Sequence, residues 1–126
     1  MEKTIVNTSR APKAIGPYSQ AVKAGNMLFV SGQLPINPDT GELITTDIAK
    51  ATDQVMKNMW AILNEAGMDF SDVVKCSIFV TDLHDFAIIN ATYEKFFDYD
   101  PPARETVQVK ALPKGASIEI SCIAVS

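Results

Sequence analysis

Two charged side chains stand in otherwise apolar predicted strands, and they are the first candidates for chemistry. Arg104 opens a strand directly after Pro101-Pro102-Ala103, and Glu119 lies within the last strand. A guanidinium can hold a carboxylate through two parallel hydrogen bonds, and a carboxylate can orient a water molecule and accept its proton. The same two residues can instead form a structural ion pair. Because the sequence does not fix the register of the two strands, both interpretations stay open.

A predicted β-hairpin brings two more polar side chains together. The segment from Tyr18 to Gln33 has Gly25-Asn26 at its centre, a dipeptide that suits a two-residue type II′ turn. This turn places Tyr18 opposite Gln33, and Tyr18 diagonally near Ser31 on one face of the sheet. By themselves these residues fit an ordinary strand interface as well as the lining of a cleft.

The residue inventory argues against a metal or nucleotide cofactor. The single histidine, His84, lies in the turn Asp82-Leu83-His84-Asp85, where a capping or solvated role is expected. Cys76 and Cys122 lie in apolar runs without CxxC spacing, so we expect two reduced core thiols. Neither GxGxxG nor GxxxxGK[ST] occurs. We therefore expect neither a zinc hydrolase site, nor a cysteine-ligated metal, nor a nucleotide phosphate loop.

Composition and charge limit the possible partners. The chain has 126 residues, 47% of them hydrophobic, and a net charge of −4. The length fits one domain, residues 1–126, and the acidic balance argues against nucleic acid as a partner. No basic leader precedes an apolar stretch, and no apolar run approaches the ~20 residues that would span a bilayer. The sequence thus predicts a cytoplasmic protein that does not contact membranes.

The remaining elements follow from hydrophobic periodicity. Two segments have helical spacing and three have strand patterns. The predicted helices are 47–66 and 85–97, and the predicted strands are 73–80, 104–109 and 117–125. A mixed sheet covered on one face by the two helices is the simplest α+β arrangement of these elements. The other face, with Met27 and Phe29, is apolar enough to predict a homo-oligomer that covers it.

Four motifs in order resemble the RidA (YjgF) family. They are Ala14–Ala21 (AIGPYSQA), Phe29–Pro35 (FVSGQLP), Pro102–Arg104 (PAR) and Leu112–Ile120 (LPKGASIEI). The resemblance covers essentially the whole chain. It implies a chorismate-mutase-like fold, a homotrimer with three clefts between subunits, and cofactor-free hydrolysis of reactive 2-imino acids to 2-keto acids and ammonia.

The resemblance also implies roles for individual residues. By position, Arg104 matches the arginine that grips the substrate carboxylate, and Glu119 matches the family's glutamate. Tyr18 and Ser31 match residues that line the cleft, and Gly32 matches a backbone contact there. These roles make Arg104, Glu119 and Tyr18 the expected catalytic residues.

The chain departs from the family pattern just after the arginine. Glu105 and Thr106 stand where the family usually has a small residue and often a cysteine. Strand alternation puts Thr106 on the same face as Arg104 and Glu105 on the opposite face. We therefore expect Thr106 to contribute to substrate binding and Glu105 to point away from the arginine.

Two other functions remain open at this level. The first is a trimer that binds keto acids as a regulator or chaperone without turnover. The second is an endoribonuclease, an activity attributed to some members of the family. The single histidine and the acidic balance make the endoribonuclease the weaker of the two.

Overall fold

The computed structural model describes residues 2–126, and its main element is one six-stranded mixed sheet. The strands are β1 (Lys3–Val6), β2 (Ala21–Ala24), β3 (Met27–Gln33), β4 (Val73–Val80), β5 (Ala103–Gln108) and β6 (Ile118–Val125), and the helices are α1 (Ile48–Glu65) and α2 (Phe86–Tyr93). Their order across the sheet is β1-β2-β3-β6-β4-β5, and only β4 and β5 run parallel. The predicted α+β architecture is confirmed. The four-residue β1 was not predicted.

Helix α1 agrees with its prediction to within a residue or two at each end. The Asp47 side chain caps it by accepting a hydrogen bond from the backbone N–H of Lys50, at 3.1 Å. Gly67, just beyond the C-terminal end, has the left-handed φ of 75° expected there. Its apolar stripe packs into the core through Val55, Met56, Met59, Ile62 and Leu63, all fully buried. Within residues 2–126, no helix is both long and apolar enough to cross a membrane.

Helix α2 is shorter than the predicted 85–97. A 3₁₀ turn at Leu83–Asp85 precedes it, and a second at Glu94–Phe96 follows it. At this tighter last turn, Phe96 and Phe97 pack on Phe70. Their ring centroids lie 5.4 and 5.3 Å from that of Phe70. Helical spacing assigns Phe86, Ile89, Tyr93, Phe96 and Phe97 to the buried face of this helix. Ile89 and Tyr93 are buried and Phe96 and Phe97 are half-buried, whereas Phe86 is 41% exposed.

The predicted hairpin forms, but its ladder is shorter than expected. Gly25 adopts a φ of 61° in the turn, and Ala24 lies opposite Met27 as predicted. Backbone pairing in the ladder ends with Ala21 opposite Val30. The placement of Tyr18 opposite Gln33 is therefore wrong. The Tyr18 N–H instead donates to the carbonyl of Gly16 at 2.8 Å, in a turn that contains Pro17 and bends the chain out of the strand.

The two faces of the sheet differ sharply in burial. The helix-covered face holds the buried thiols Cys76 and Cys122, which lie opposite each other on β4 and β6 and are not bonded to each other, as predicted. Its other members are fully buried aliphatics, including Leu28, Ile78 and Ile120. The second face, here called the open face, carries large apolar side chains that remain exposed in the single chain. Ile5, Met27, Phe29 and Val107 are 52%, 36%, 43% and 41% exposed.

Candidate active site

Four of the predicted site residues line one cavity of about 680 Å³. Tyr18, Ser31, Gly32 and Glu119 lie together there, although they come from three separate parts of the sequence. The remaining wall consists mainly of apolar and proline side chains from three loops: Pro12, Ile15, Leu34, Ile36, Pro38 and Pro113. The cavity has the mainly apolar lining and few converging polar groups that are typical of small-molecule sites.

Gly32 allows the Glu119 carboxylate to approach the backbone of β3. A Cβ atom at position 32 would lie 2.6 Å from Oε2 of Glu119. The pairing of β3 with β6 also shifts register between Val30 and Gln33, around this glycine. Only glycine permits this contact without moving the carboxylate. The close approach of Glu119 therefore requires a glycine at position 32, whereas the backbone contact with a ligand stays a prediction.

Glu119 is a partly buried carboxylate without a neutralising partner. Burial raises the pKa of its side chain above the usual value, and no hydrogen bond offsets this effect. No lysine, arginine or histidine nitrogen of residues 2–126 lies within 4.0 Å of it. A desolvated carboxylate of this kind is a better proton acceptor than one in water.

Ser31 holds the segment that joins Tyr18 to β2. Its hydroxyl donates to the carbonyl of Ser19 at 2.6 Å, and its backbone N–H donates to the carbonyl of Gln20 at 2.9 Å. The Ser31 hydroxyl proton is therefore already donated to a backbone carbonyl of the same chain. Tyr18 itself is 52% exposed, so its ring is accessible at the mouth of the cavity.

One wall of the cavity is held by the buried amide of Gln20, which the sequence did not single out. Its Nε2 donates to the carbonyls of Thr8 and Pro12 at 3.0 and 2.9 Å. Its Oε1 accepts from the backbone N–H of Thr8 at 2.7 Å. These bonds fix the segment that leads to Lys13 and Ile15 on the cavity wall.

A second buried amide, Asn58 on α1, holds the opposite wall. Its Nδ2 donates to the carbonyls of Leu34 and Ile36 at 3.1 and 2.9 Å, and its Oδ1 accepts from Nε2 of Gln54 at 2.8 Å. Helical spacing predicts that Asn58 lies away from the buried stripe of α1, which is wrong, because the residue is 1% exposed. The pattern missed it because polar residues are assigned to the solvent face by default.

The charged groups of the cavity wall are two lysines and one glutamate. Lys13 and Lys114 accompany Glu119, so the wall is net positive although the chain carries −4. Lys114 has a left-handed φ of 60°, which is uncommon for a residue with a side chain. Both lysines were missed in the sequence, where nothing distinguishes them from surface lysines.

Arg104 lies on the other side of the sheet from Glu119. On β4, Cys76 is the partner of Arg104 and Phe79 is the partner of Glu119. Residues 76 and 79 are separated by an odd number of positions, so they point to opposite faces. The hypothesis of an ion pair between Arg104 and Glu119 within one chain is therefore wrong. Thr106, opposite Ile78, shares the helix-covered face with Arg104, and neither residue lines the cavity.

The Arg104 guanidinium contacts aromatic rings and no carboxylate. Its Cζ lies 5.0 Å from the ring centroid of Tyr93 and 5.6 Å from that of Phe86. In the described part of the chain, no carboxylate oxygen lies within 4.0 Å of it. The buried Oγ1 of Thr106 also has no hydrogen-bond partner among residues 2–126. At this edge of the sheet, the Arg104 guanidinium therefore lacks a carboxylate and the Thr106 hydroxyl lacks a hydrogen-bond partner among residues 2–126.

Glu105 does not compete for the arginine. As predicted, it points to the opposite face, where it pairs with Lys75 at 3.0 Å. Hydrogen bonds from Ser77 and Lys75 lower the pKa of the Glu105 carboxyl. Within residues 2–126, Glu105 therefore forms no ion pair with Arg104.

His84 lies beside Asp82 in an exposed turn. His84 is exposed and its Nδ1 lies 2.9 Å from Oδ1 of Asp82, which also accepts from the His84 backbone N–H. This agrees with the predicted solvated turn position. Residues 2–126 contain no group of three or more His, Cys, Asp and Glu side chains that could hold a metal ion.

Comparison with known proteins supports the family assignment along the whole chain. The sequence model of the family described as "Endoribonuclease L-PSP" matches residues 8–126. The chain is 51% identical over 128 residues to the 2-iminobutanoate/2-iminopropanoate deaminase of Escherichia coli (strain K12), covering 99% of this chain and 98% of that protein. It is 49% identical over 124 residues to the chloroplastic Reactive Intermediate Deaminase A of Arabidopsis thaliana, covering 98% of this chain and 66% of that protein.

The fold agrees equally well with solved structures. The crystal structure of Escherichia coli TdcF with bound serine superimposes with a TM-score of 0.94 at 45% identity, over 98% of each chain. Family model, sequence identity and backbone geometry all coincide with the four motifs that suggested the resemblance. The chain belongs to the RidA (YjgF) family.

Proposed function

We propose that the protein hydrolyses reactive 2-imino acids, such as 2-iminobutanoate and 2-iminopropanoate, to 2-keto acids and ammonia at clefts between the subunits of a homotrimer. The observation that carries the proposal is the separation of its two key charges. Within residues 2–126, Glu119 has no lysine, arginine or histidine nitrogen within 4.0 Å, and Arg104, on the opposite face, has no carboxylate oxygen within 4.0 Å. A second copy of the chain can bring an Arg104 to the Glu119 cavity, which one chain alone cannot do.

The reaction needs positioning and proton transfer more than strong activation. Water adds to C2 of the protonated imine, the C2–N bond breaks, and the products are a 2-keto acid and ammonium. In the proposed cleft, Glu119 accepts a proton from the attacking water and returns it to the departing nitrogen. Because the carbon of a protonated imine is already electrophilic, a desolvated carboxylate and a fixed substrate suffice.

The other site residues have binding roles in this proposal. Arg104 of a neighbouring subunit holds the substrate carboxylate through its two-pronged fork, and Thr106 lies beside it on the same strand face. Tyr18 closes the mouth of the cavity, Gly32 provides the close backbone contact, and Ser31 maintains the strand geometry. TdcF, with a serine bound in its crystal structure, is a relative that accepts an amino-acid-sized ligand.

The cellular setting of the proposed reaction follows from the same chemistry. Residues 1–126 act as one domain and need no metal or organic cofactor. Free buried thiols fit a reducing compartment such as the cytoplasm. There the protein would relieve damage from imines released by pyridoxal-phosphate-dependent dehydratases.

The direct test is ammonia release from freshly generated imines. A pyridoxal-phosphate-dependent dehydratase acting on threonine or serine produces 2-iminobutanoate or 2-iminopropanoate in the cuvette, and we expect the protein to accelerate ammonia release. Binding of 2-ketobutanoate without acceleration would instead establish a non-catalytic binding protein. Cleavage of RNA without imine hydrolysis would establish an endoribonuclease.

The trimer is tested separately by its mass. We expect light scattering at micromolar concentration to give three times 13.7 kDa, because association removes the exposed apolar side chains of the open face from water. Phe29→Asp places a charge on this face at a position that is 43% exposed, so the subunit should fold and dissociate. A wild-type monomer at that concentration would contradict the assembly and the inter-subunit cleft.

Gly32→Ala tests the contact between β3 and Glu119. The new Cβ meets the flexible end of the Glu119 side chain, so the chain should fold with the carboxylate displaced. A displacement of about 1 Å at a reacting group can cost about 100-fold in rate, and we expect a loss of kcat/KM of that order. Thermal melting serves as the control. Wild-type kcat/KM in a normally folded Gly32→Ala protein would show that the position of Glu119 is unimportant.

A further inference from the structure

We propose that Tyr93 and Phe86 form an aromatic cradle that positions the Arg104 guanidinium to receive the substrate carboxylate. The proposal rests on the function proposed above and deepens it, since it identifies two residues of α2 that set the geometry of Arg104, the proposed carboxylate anchor. Neither ring is a catalytic residue. Both act through Arg104 and are positioning residues.

The cradle forms where one face of α2 packs against β5 at the edge of the sheet. Residues 86 and 93 are seven positions apart, so their side chains lie on the same face of α2, two turns from each other. That face contacts β5, where the Cζ atom of Arg104 lies 5.0 Å from the centroid of Tyr93 and 5.6 Å from that of Phe86. Both distances are within the ≈6 Å that is typical of a cation–π contact.

The cradle holds the cation without neutralising it. An arginine at the edge of a sheet is ordinarily paired with a carboxylate, whose oxygens would occupy the guanidinium N–H groups. Here no carboxylate oxygen of residues 2–126 lies within 4.0 Å, and the nearby Glu105 is engaged by Lys75 on the other face. Aromatic faces restrict the motion of the side chain while leaving its hydrogen-bonding edge available for a substrate carboxylate. This is the preorganisation that an anion anchor requires.

Tyr93 offers a matched pair of variants. It is 5% exposed, and among the described residues its hydroxyl has no oxygen or nitrogen partner but lies against the thiol of Cys76. Burial also raises the pKa of the phenol, so the ring stays neutral. Tyr93→Phe therefore keeps the ring face and removes only the hydroxyl with its contact to Cys76, whereas Tyr93→Leu removes the ring face and keeps an apolar side chain of intermediate size.

The first measurement reports on the cradle without any substrate. The chain has two arginines, Arg10 and Arg104, so their side-chain Nε–H resonances can be assigned by substituting each with lysine. We expect the Arg104 resonance to be shifted upfield by the ring currents of the cradle, in both the wild type and Tyr93→Phe. Tyr93→Leu should move it towards the random-coil position. The Arg10 resonance is the internal reference, since Arg10 lies over Trp60 at 5.8 Å, away from the cradle.

The second measurement separates positioning from simple stabilisation. We expect Tyr93→Leu to raise KM for 2-iminobutanoate about 2- to 30-fold, the equivalent of one cation–π contact, with a smaller change in kcat. Tyr93→Phe should raise KM less than Tyr93→Leu does. In an Arg104→Ala background, Tyr93→Leu should cause no further rise in KM, because the guanidinium on which the cradle acts is gone.

The outcomes that overturn the proposal are distinct from failure of the proposed function. An Arg104 resonance that is unshifted in the wild type, or unmoved in Tyr93→Leu, would disprove the cradle. So would a Tyr93→Leu variant with a lower melting temperature and unchanged KM, which would reduce Tyr93 to a core residue. If the wild type hydrolyses no imine, the proposed function fails. The cradle is then judged by the resonance and by the affinity for 2-ketobutanoate.

Discussion

Replacing Arg104 with alanine is expected to reduce kcat/KM for 2-imino acids by about 30- to 4,000-fold while leaving a folded trimer. Removing one partner of a desolvated charge pair typically costs about 2–5 kcal/mol, which corresponds to that range. The structure supports a functional effect because the guanidinium forms no ion pair within residues 2–126 that could account for its position. The assay is ammonia release from 2-iminobutanoate and 2-iminopropanoate, measured beside the affinity for 2-ketobutanoate.

Two controls make this prediction specific. Arg104→Lys keeps the charge but replaces a planar fork with a mobile point charge, so it should also lose most hydrolysis while retaining more affinity for the keto acid. Arg10→Ala removes the other arginine, which hydrogen-bonds Asn64 at 3.0 Å on an exposed surface, and should leave activity intact. Loss of the cation–π contacts should lower the stability of Arg104→Ala by about 0.5–2 kcal/mol, seen as a shift in the melting temperature. A trimeric Arg104→Ala protein with wild-type rates would refute the anchor.

The parts of the fold that were predicted correctly depend on local interactions. Helix α1 was located because its caps, Asp47 and Gly67, are neighbours of its apolar stripe. The turn at Gly25 was located because a two-residue hairpin needs a left-handed residue. Each of these signals is complete within a few consecutive residues. The sequence therefore contained everything needed to recognise them.

The errors arise where the structure depends on contacts between distant segments. Asn58 is buried because two carbonyls more than 20 residues away accept its N–H groups, and helical periodicity carries no information about them. Tyr18 leaves the hairpin ladder because of the turn at Gly16-Pro17, which overrides strand alternation. Predicting that Arg104 and Glu119 lie on opposite faces would have required the register of β4 with both β5 and β6.

The site itself was recognised by family resemblance more than by physical pattern. Tyr18, Ser31, Gly32 and Glu119 meet in one cavity, as their positions in the motifs implied. Alternation alone could not have grouped them, since they lie on three segments whose packing is tertiary. Lys114 is a cavity residue that the resemblance did not identify. It lies within one of the four motifs, but its position on the cavity wall and its left-handed backbone are seen only in the structure.

Glu119→Gln is expected to abolish most imine hydrolysis while preserving the fold. Loss of a general base typically costs about 10²- to 10⁴-fold in rate, and the nearly isosteric amide should retain much of the affinity for 2-ketobutanoate. The wild-type kcat/KM should fall on the acidic side as Glu119 is protonated, with an apparent pKa that burial raises and the neighbouring subunit's guanidinium lowers. The glutamine variant should lose this acidic limb. Rates from pH 4 to pH 8 provide the measurement.

Stability measurements on the same variant distinguish a catalytic carboxylate from a structural one. Burial disfavours the charged carboxylate in the folded chain, so the folded state binds the Glu119 proton more tightly than the unfolded state, and stability falls as pH rises above the ordinary glutamate pKa of 4.5. Glu119→Gln removes that penalty and should melt no lower than wild type at pH 7. A lower melting temperature would show that Glu119 is a structural partner. So would partial loss of the trimer in which the trimers that remain keep the wild-type turnover rate. Full activity in a stable trimer would show that another group positions the water.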